Sequence, residues 1–311
     1  EKTLGFEGVN GRVTAVKTDK RTIPAQLVIV AVGVRPNVEL AKAAGLEIGP
    51  SGAIAVNEYL QTSDPSIYAG GDCAENTNIV SKAKMFAPMG STANKHGRVI
   101  ADNICGDGIK YPGILGTGIC QILNWQAGST GLNERAARAA GIEFESVVVP
   151  GFDRLGYMPG AQRLVLKLLA DVKTQKVIGA QVVGTGGVDK RVDALATALS
   201  FGATLEDLSN IDFAYAPPFN GSIDNIATAA NVLMNKICGR LRSINPKDFK
   251  ELRQNCEYTL VDVRSPGEFK ANRIAGCANI INLPLGKVRS EAETVLPDKE
   301  AKLVCSCQIN L

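Results

Sequence analysis

Histidine is almost missing from this chain: His96 is the only one among 311 residues, and tryptophan also occurs once. The eight cysteines, at positions 73, 105, 120, 238, 256, 277, 305 and 307, include no Cys-x-x-Cys pair and none with a histidine nearby. That spacing excludes the common zinc-ligand patterns and argues against a secreted disulfide scaffold. No metal is expected; mostly buried, reduced thiols in a cytoplasmic protein are. No apolar run reaches the roughly 18 residues of a membrane-spanning helix. The net charge is +3, without a Lys/Arg cluster. The densest basic stretch, residues 17–21, contains Asp19 and reads as a hairpin turn. Neither membrane nor nucleic acid is therefore an expected partner. A Gly-x-Gly-x-x-Gly phosphate loop is absent too, so no complete dinucleotide-binding turn lies in this sequence.

What is present describes a globular chain. Hydrophobic residues make up 45% and charged residues 21%, and the length allows two or three domains with cores of their own. Glu1-Lys2-Thr3-Leu4 shows neither an initiator methionine nor a signal peptide, and Leu311 closely follows an apolar strand pattern. A C-terminal fragment of a longer protein is the expectation. Strands are predicted over 3–6 and 13–17, joined by a turn at Gly8 and Asn10-Gly11. Residues 25–34 form a continuous apolar run of the kind buried on both faces of a sheet. A short helix should follow over 38–44. Residues 109–238 read as an α/β unit, with strands at 118–124, 146–149, 163–170 and 177–183 and helices at 133–140, 188–201 and 223–237. After an Arg240-Leu241-Arg242 linker, a helix at 246–254 precedes a strand at 259–263.

The most informative stretch is Thr62-Ser63-Asp64-Pro65-Ser66-Ile67-Tyr68-Ala69-Gly70-Gly71-Asp72-Cys73-Ala74-Glu75. An apolar strand runs into two glycines, which let a bulky ligand approach the backbone, and then into an acid that can accept a hydrogen bond from a ligand hydroxyl. A strand ending in an ordinary Gly-Gly-Asp turn is the alternative. Downstream, residues 89–104 should form a helix capped by Ser91 or Thr92, with Ala93, Gly97, Ile100, Ala101 and Ile104 on its buried face. The small residues at its start, Met89-Gly90-Ser91-Thr92, would let its N-terminus approach a ligand, where the free N–H groups suit an anion. An ordinary amphipathic helix is the competing reading.

These segments resemble the pyridine nucleotide-disulfide oxidoreductases. The stretch ending Gly71-Asp72 resembles their second flavin-binding signature, whose acid holds the ribityl chain of FAD. Ala31-Val32-Gly33-Val34-Arg35-Pro36-Asn37 is similar to the strand closing the NAD domain. Gly128-Ser129-Thr130-Gly131-Leu132-Asn133-Glu134 and Gly184-Thr185-Gly186-Gly187-Val188-Asp189-Lys190-Arg191-Val192-Asp193 resemble the dimerisation domain. Gly156-Tyr157-Met158-Pro159-Gly160-Ala161, with Met158 in place of a second tyrosine, and Ala214-Tyr215-Ala216-Pro217-Pro218-Phe219 are similar to two tyrosine motifs of the CoA-disulfide and persulfide reductases. There the resemblance implies hydroxyls reaching across a homodimer to the partner's active-site sulfur; two tyrosines that merely pack is the alternative. Asn220-Gly221-Ser222-Ile223-Asp224-Asn225 departs from the CoA-disulfide reductase pattern and leaves other low-molecular-weight disulfides or persulfides open.

From about 243 the chain resembles a rhodanese-like domain, through Leu260-Val261-Asp262-Val263-Arg264-Ser265-Pro266-Gly267-Glu268-Phe269 and Arg273-Ile274-Ala275-Gly276-Cys277-Ala278-Asn279-Ile280. Arg273 stands where that family often has histidine. The sulfur-carrying position falls on Cys307, with Cys305 a buried strand residue; a redox Cys305/Cys307 pair is a minority alternative. Asn310 occupies a usual glycine position, and the arginine of that loop is missing.

The resemblance thus implies an α/β protein. Residues 1–38 would end a NAD(P)-binding Rossmann-like domain, and 39–108 would be the C-terminal part of an FAD-binding domain. An α+β dimerisation domain would fill 109–240, and 243–311 would be a truncated α/β rhodanese-like domain. Gly33, Gly71, Asp72, Met89, Gly90, Ser91 and Thr92 would contribute to cofactor binding, and Tyr157, Tyr215 and Cys307 to catalysis. FAD and NAD(P)H are the implied cofactors, and a CoA disulfide, persulfide or polysulfide the substrate of the parent. Without the phosphate loops and the redox cysteine, the fragment alone is expected to be inactive and nearly colourless. An NADH oxidase or peroxidase of the same family, or a non-catalytic dimerisation and sulfur-relay module, is the alternative.

Overall fold

A computed structural model describes residues 1–244, 246–253 and 257–307. The chain opens as an antiparallel meander, β1 (Thr3–Val9), β2 (Arg12–Thr18) and β3 (Thr22–Pro24), paired in that order. Asn10 and Gly11 turn it with φ of 52° and 76°, the double left-handed geometry that a two-residue hairpin requires. The apolar run that follows is not a strand. Ile29 and Val32 are 82% and 90% exposed, and Leu27, Val30 and Val34 are exposed with them. A central strand needs a hydrogen-bonded neighbour on each edge, and the described residues supply none to this segment.

Helix α1 (Glu39–Ala43) opens a small core in which Val38, Ala41, Ile54, Val56, Leu60, Ala69 and Ala74 are buried together. A single 3-10 turn, Gly71–Cys73, leads to the two-residue strands β4 (Asn76–Thr77) and β5 (Lys84–Met85), and then to the long helix α2 (Gly90–Ile104). The apolar residues before the Gly-Gly-Asp turn do not build a strand ladder; only Tyr68 bridges, to Gln61.

Next comes a five-stranded antiparallel sheet. In sequence its elements are β6 (Gly118–Ile122), β7 (Trp125–Gly131), α3 (Glu134–Ala139), β8 (Phe144–Phe152), β9 (Arg163–Asp171), β10 (Val177–Gly184), α4 (Val188–Ser200), α5 (Leu205–Ser209) and α6 (Asn225–Ile237). In space the strands run β6-β7-β10-β9-β8. Strand side chains alternate between faces, so Leu164, Leu166 and Leu168 share one face of β9. They are fully buried in one core with Val192, Leu195 and Leu199 of α4 and Ile226, Ala229 and Leu233 of α6. Leu169 points the other way, into a smaller cluster with Leu132, Ala137 and Ile178.

Beyond α7 (Pro246–Leu252) lies a three-stranded parallel sheet with β11 (Tyr258–Asp262) in the centre. Helix α8 (Pro266–Ala271) leads to β12 (Asn279–Asn282) on one side, and α9 (Val288–Val295) leads to β13 (Lys302–Ser306) on the other. Ser265 and Glu268 cap α8 reciprocally, the arrangement their spacing encodes. Position 254 of the predicted helix, together with Cys256 and Asn310, falls outside the described residues. None of the described cysteines is fully buried: Cys105, Cys120, Cys238 and Cys305 are exposed, and Cys73, Cys277 and Cys307 are intermediate. The expectation of buried thiols, and of a buried Cys305 in particular, is thereby corrected. No helix among the described residues is long and apolar enough to cross a membrane.

Glu134, in the first turn of α3, ties that helix to the sheet. It pairs with Lys167 of β9 at 2.5 Å and with Arg138 at 3.0 Å, and accepts from Ser146 Oγ of β8 at 3.1 Å. The Lys167 ammonium, more than any other neighbour, brings its carboxyl down to about 2. A depressed carboxylate pKa contributes stability that is complete above the unfolded value near 4.5 and is lost as pH falls towards 2. Hydrogen exchange of the β8 and β9 amides should therefore quicken across that window, and Glu134→Gln should flatten the dependence. Equal acid sensitivity in both proteins would remove Glu134 from this role.

Candidate functional site

The Gly-Gly-Asp turn is shaped by its contact with α2. A Cβ on Gly70 would lie 2.9 Å from Ile100 Cδ1 and 3.0 Å from His96 Cβ, so only glycine lets the helix close here. Gly71 has φ of +73°, a left-handed conformation that glycine adopts without strain. Its N–H donates to His96 Nδ1 at 3.1 Å. That acceptor must be unprotonated, so the ring proton belongs on Nε2, which is buried with no hydrogen-bond partner. Tyr111 meets the His96 ring edge-on, with centroids 4.5 Å apart. Burial holds His96 below its ordinary pKa.

The consequence is an exposed Asp72 carboxylate on a turn fixed to α2. Helix α2 begins after an extended Met89, and no side chain caps it. Neither Ser91 nor Thr92 is its cap: Ser91 lies exposed in the first turn and Thr92 is buried. The free N–H groups of that first turn and its positive dipole end suit an anion, while Asp72 suits a hydroxyl. Together they fit the ribityl hydroxyls and the electron-rich ring edge of a flavin. The buried face of α2 matches its prediction at Ala93 and Ile100, both partly covered, and differs elsewhere. It carries Thr92 and His96, with Val99 and Ile100 partly covered, whereas Gly97, Ala101 and Ile104 are exposed. His96 is the residue that sequence reasoning missed, although its spacing of four from both Thr92 and Ile100 was a usable signal. Gly33 lies far along the chain in the exposed segment, with φ of +80°.

The tyrosines sit on two surface loops of the five-stranded unit. Tyr157 is 76% exposed in the connection between β8 and β9, and Tyr215 is 55% exposed in the segment before α6. Among the described residues neither hydroxyl has a hydrogen-bond partner, and nothing links the two rings directly. A cavity of about 530 Å³, lined by Glu58, Glu75, Lys84 and Tyr111 among others, contains none of the predicted site residues.

Cys307 follows β13 at the C-terminal edge of the parallel sheet. Val263 N donates to Ser306 O at 2.9 Å, which sets Cys307 beside the end of β11. Because β12 and β13 flank β11 on opposite sides, this edge is a topological switch point, where open α/β sheets bind their ligands. Asp262 is fully buried there and chelates Arg264 through bonds of 2.6 to 3.1 Å. Arg264 is held above its usual value by Asp262 first, and Cys307 is among the charges it senses. An arginine thus stands near the sulfur position, although it comes from β11's end rather than from the loop after the cysteine. Arg273 stacks its guanidinium 5.5 Å from the Phe269 ring.

The Gly71–His96 bond generates a pH prediction. Above about pH 6.5 both folded and unfolded histidine are neutral; below it the unfolded chain takes up a proton that the buried ring resists. Protection of the Gly71 amide from hydrogen exchange, corrected for intrinsic rates, should fall between about pH 7 and about pH 5. In His96→Gln that decline should vanish. Identical profiles for the two proteins would rule out the histidine as its source.

Known proteins share this fold. Residues 2–89 match the profile of a family described as pyridine nucleotide-disulphide oxidoreductase, 119–227 its dimerisation domain, and 245–310 a rhodanese-like domain. The chain is 39% identical over 233 residues to a Pyrococcus furiosus NAD(P)H sulfur oxidoreductase (CoA-dependent), covering 75% of this chain and 52% of that protein. The structure of a NAD-dependent persulfide reductase from A. fulgidus is similar with a TM-score of 0.88 at 40% identity, over 98% of this chain and 55% of that one. Reduced Bacillus anthracis CoADR-RHD gives a TM-score of 0.88 at 34% identity, over 98% and 54%. The chain spans about half the length of the curated relatives it matches. FAD and NAD(P)H are the cofactors this family uses, and the Asp72 turn with the α2 N-terminus fits the first of them. The chain belongs to the pyridine nucleotide-disulphide oxidoreductase family, with a rhodanese-like domain following its dimerisation domain.

Proposed function

We propose that the protein to which these residues belong reduces a CoA disulfide, persulfide or polysulfide by thiol-disulfide exchange and passes sulfane sulfur through Cys307. The observation that carries this reading is the combination, on one chain, of two exposed tyrosine loops with a cysteine at the switch point of a parallel sheet. Relatives named for CoA-dependent sulfur and persulfide reduction support the same choice of substrate. The division at residues 38, 108 and 240–243 is part of the proposal, as are a homodimer and a cytoplasmic location.

In this reading Asp72 would hold the ribityl chain of FAD, and the first turn of α2, Gly90-Ser91-Thr92 after Met89, would face the electron-rich edge of its ring. Gly33 would turn the chain at the end of the nucleotide domain. FAD supplies the two-electron relay from NAD(P)H to a cysteine. In this reading that redox cysteine would lie outside the residues of this chain; Cys73 is a poor substitute, with its Sγ directed at Gly70 O at 3.4 Å. When a cysteine thiolate attacks the substrate, a new S–S bond forms, the old one breaks, and the leaving thiolate needs a proton. Tyr157 and Tyr215 would donate a hydrogen bond to that sulfur or supply the proton. At the other end of the chain, Arg264 offers positive charge to a thiolate or persulfide on Cys307, which would accept or deliver the outer sulfur atom.

In the full-length enzyme, Tyr157→Phe combined with Tyr215→Phe should slow turnover of a CoA disulfide or persulfide by roughly 10²-fold. NADH-driven oxygen reduction should stay as it was. Unchanged disulfide turnover would sink the tyrosine role, and turnover of oxygen or peroxide alone would favour the oxidase reading. Cys307→Ser should stop sulfur transfer and leave disulfide reduction intact; sulfur transfer that survived it would move the relay elsewhere.

A further inference from the structure

We propose that Arg191 is a positioning residue that holds the roots of the Tyr157 and Tyr215 loops in one register. The proposal rests on the reading that both tyrosines face the sulfur substrate. Arg191 lies on α4, 1% exposed, and its guanidinium is directed at both loops at once. One nitrogen, Nη2, donates to Asp153 O at 3.0 Å and to Asn220 Oδ1 at 3.1 Å, and pairs with Asp224 Oδ2 at 3.0 Å. The other, Nη1, donates to Gly187 O at 3.2 Å.

Asp153 is where the Tyr157 loop closes. Asp153 N donates to Gln162 O at 2.8 Å, and Gln162 N donates back to Asp153 Oδ1 at 2.8 Å. Tyr157 stands between these two clasped residues. Asn220 closes the other loop, with its N–H donating to Ala216 O at 3.1 Å and its Nδ2 to Ala214 O at 3.5 Å, on either side of Tyr215. Asp224 caps α6 with Oδ1, through Ile226 N at 2.8 Å, and so leaves Oδ2 for the arginine. The guanidinium is planar, so a shift of either root displaces a hydrogen bond to the other.

The glycines of Gly184-Thr185-Gly186-Gly187 gain a purpose here. A Cβ on Gly187, which has φ of +64°, would stand 2.4 Å from Arg191 Nη1 and 3.1 Å from Asp153 Cβ. A Cβ on Gly186 would stand 3.0 Å from Gln162 Cβ. Both leave the space that the arginine and the clasp fill. Asn220, one of the arginine's acceptors, is among the positions where the segment departs from the CoA-disulfide reductase pattern. A separate tie, Asn225 Nδ2 to Phe152 O at 2.8 Å, enters one residue before the Tyr157 loop and does not reach Tyr215.

The test uses this chain labelled with 3-fluorotyrosine. Its six tyrosines give six fluorine resonances, and those of Tyr157 and Tyr215 are assigned by Tyr157→Phe and Tyr215→Phe. Arg191→Lys keeps the charge and loses the fork. It should displace or broaden both loop resonances beyond the linewidth and leave Tyr258, in the parallel sheet, where it was. A folded Lys variant in which neither resonance moves, or only one does, overturns the proposal. Should Tyr258 move as well, the fold itself has given way, and Asn220→Ala replaces the variant. It removes one acceptor on the Tyr215 side, and the Tyr157 resonance should respond; a stationary Tyr157 resonance overturns the coupling. The two readings fail separately. If the double Phe enzyme keeps its turnover while Arg191→Lys moves both resonances, the substrate role falls and the register stands. If turnover drops while the resonances stay fixed, the reverse holds.

Discussion

A guanidinium withdrawn from water must find acceptors in the protein, because an uncompensated buried charge is among the costliest defects a fold can carry. Arg191 imposes that requirement on the five-stranded unit. A guanidinium presents its donors in a rigid plane, so its surroundings must provide carbonyls and a carboxylate in fixed directions. Asp224 supplies the opposite charge, Asn220 a neutral acceptor, and Asp153 and Gly187 backbone oxygens. Removing one partner from such a buried pair costs about 3–5 kcal/mol, a large part of the stability of any domain. The composition around it follows: two glycines where a Cβ would collide, an Asn where an acceptor is required and an Asp where an opposite charge is. Two otherwise exposed loops thereby acquire fixed roots, which is what a surface site needs from its scaffold.

The sequence was most legible where burial is one-sided and repeated. Leu164, Leu166 and Leu168 alternate with Val165 and Lys167, and the strand they predict is the strand observed. The hairpin at Asn10-Gly11 and the helices α4 and α6 were legible for the same local reasons. Strand β7 was not, because Trp125-Gln126-Ala127-Gly128-Ser129-Thr130-Gly131 has little apolar alternation and its pairing with β10 and β6 is decided by tertiary context. The opposite error occurred at residues 25–34. An unbroken apolar run states that a segment can be buried on both faces, but says nothing about whether partner strands are at hand.

The turn at Gly70-Gly71-Asp72 shows which part of a site a sequence can disclose. Gly70, Gly71 and Asp72 are contiguous, so their motif is readable as a string. His96 lies 25 residues away and acts through a ring nitrogen pointed at a backbone amide, a contact visible only once α2 is laid against the turn. The helix rotation was misjudged for a related reason. Of the predicted face, Ile100 and Ala93 are partly covered, but Gly97, Ala101 and Ile104 are exposed, because the face that packs is set by Thr92, His96 and Ile100, spaced four apart. Small residues permit a close approach without requiring one.

In the parallel sheet, alternation alone does not separate Cys305 from Cys307. On β13, Val304 and Ser306 turn inward relative to Leu303 and Cys305, so Cys305 is exposed on the strand's flank. Cys307, one step past the ladder, stands at the strand's carboxyl end beside the Asp262–Arg264 chelate. Two sulfurs two residues apart on an extended strand project the same way, but only the second reaches the edge where β12 and β13 diverge from β11. Position along the strand therefore distinguishes the proposed sulfur carrier from a surface thiol. The same rule applies to the tyrosines, whose placement is set by the loop roots beneath them and not by any partner of their own hydroxyls among the described residues.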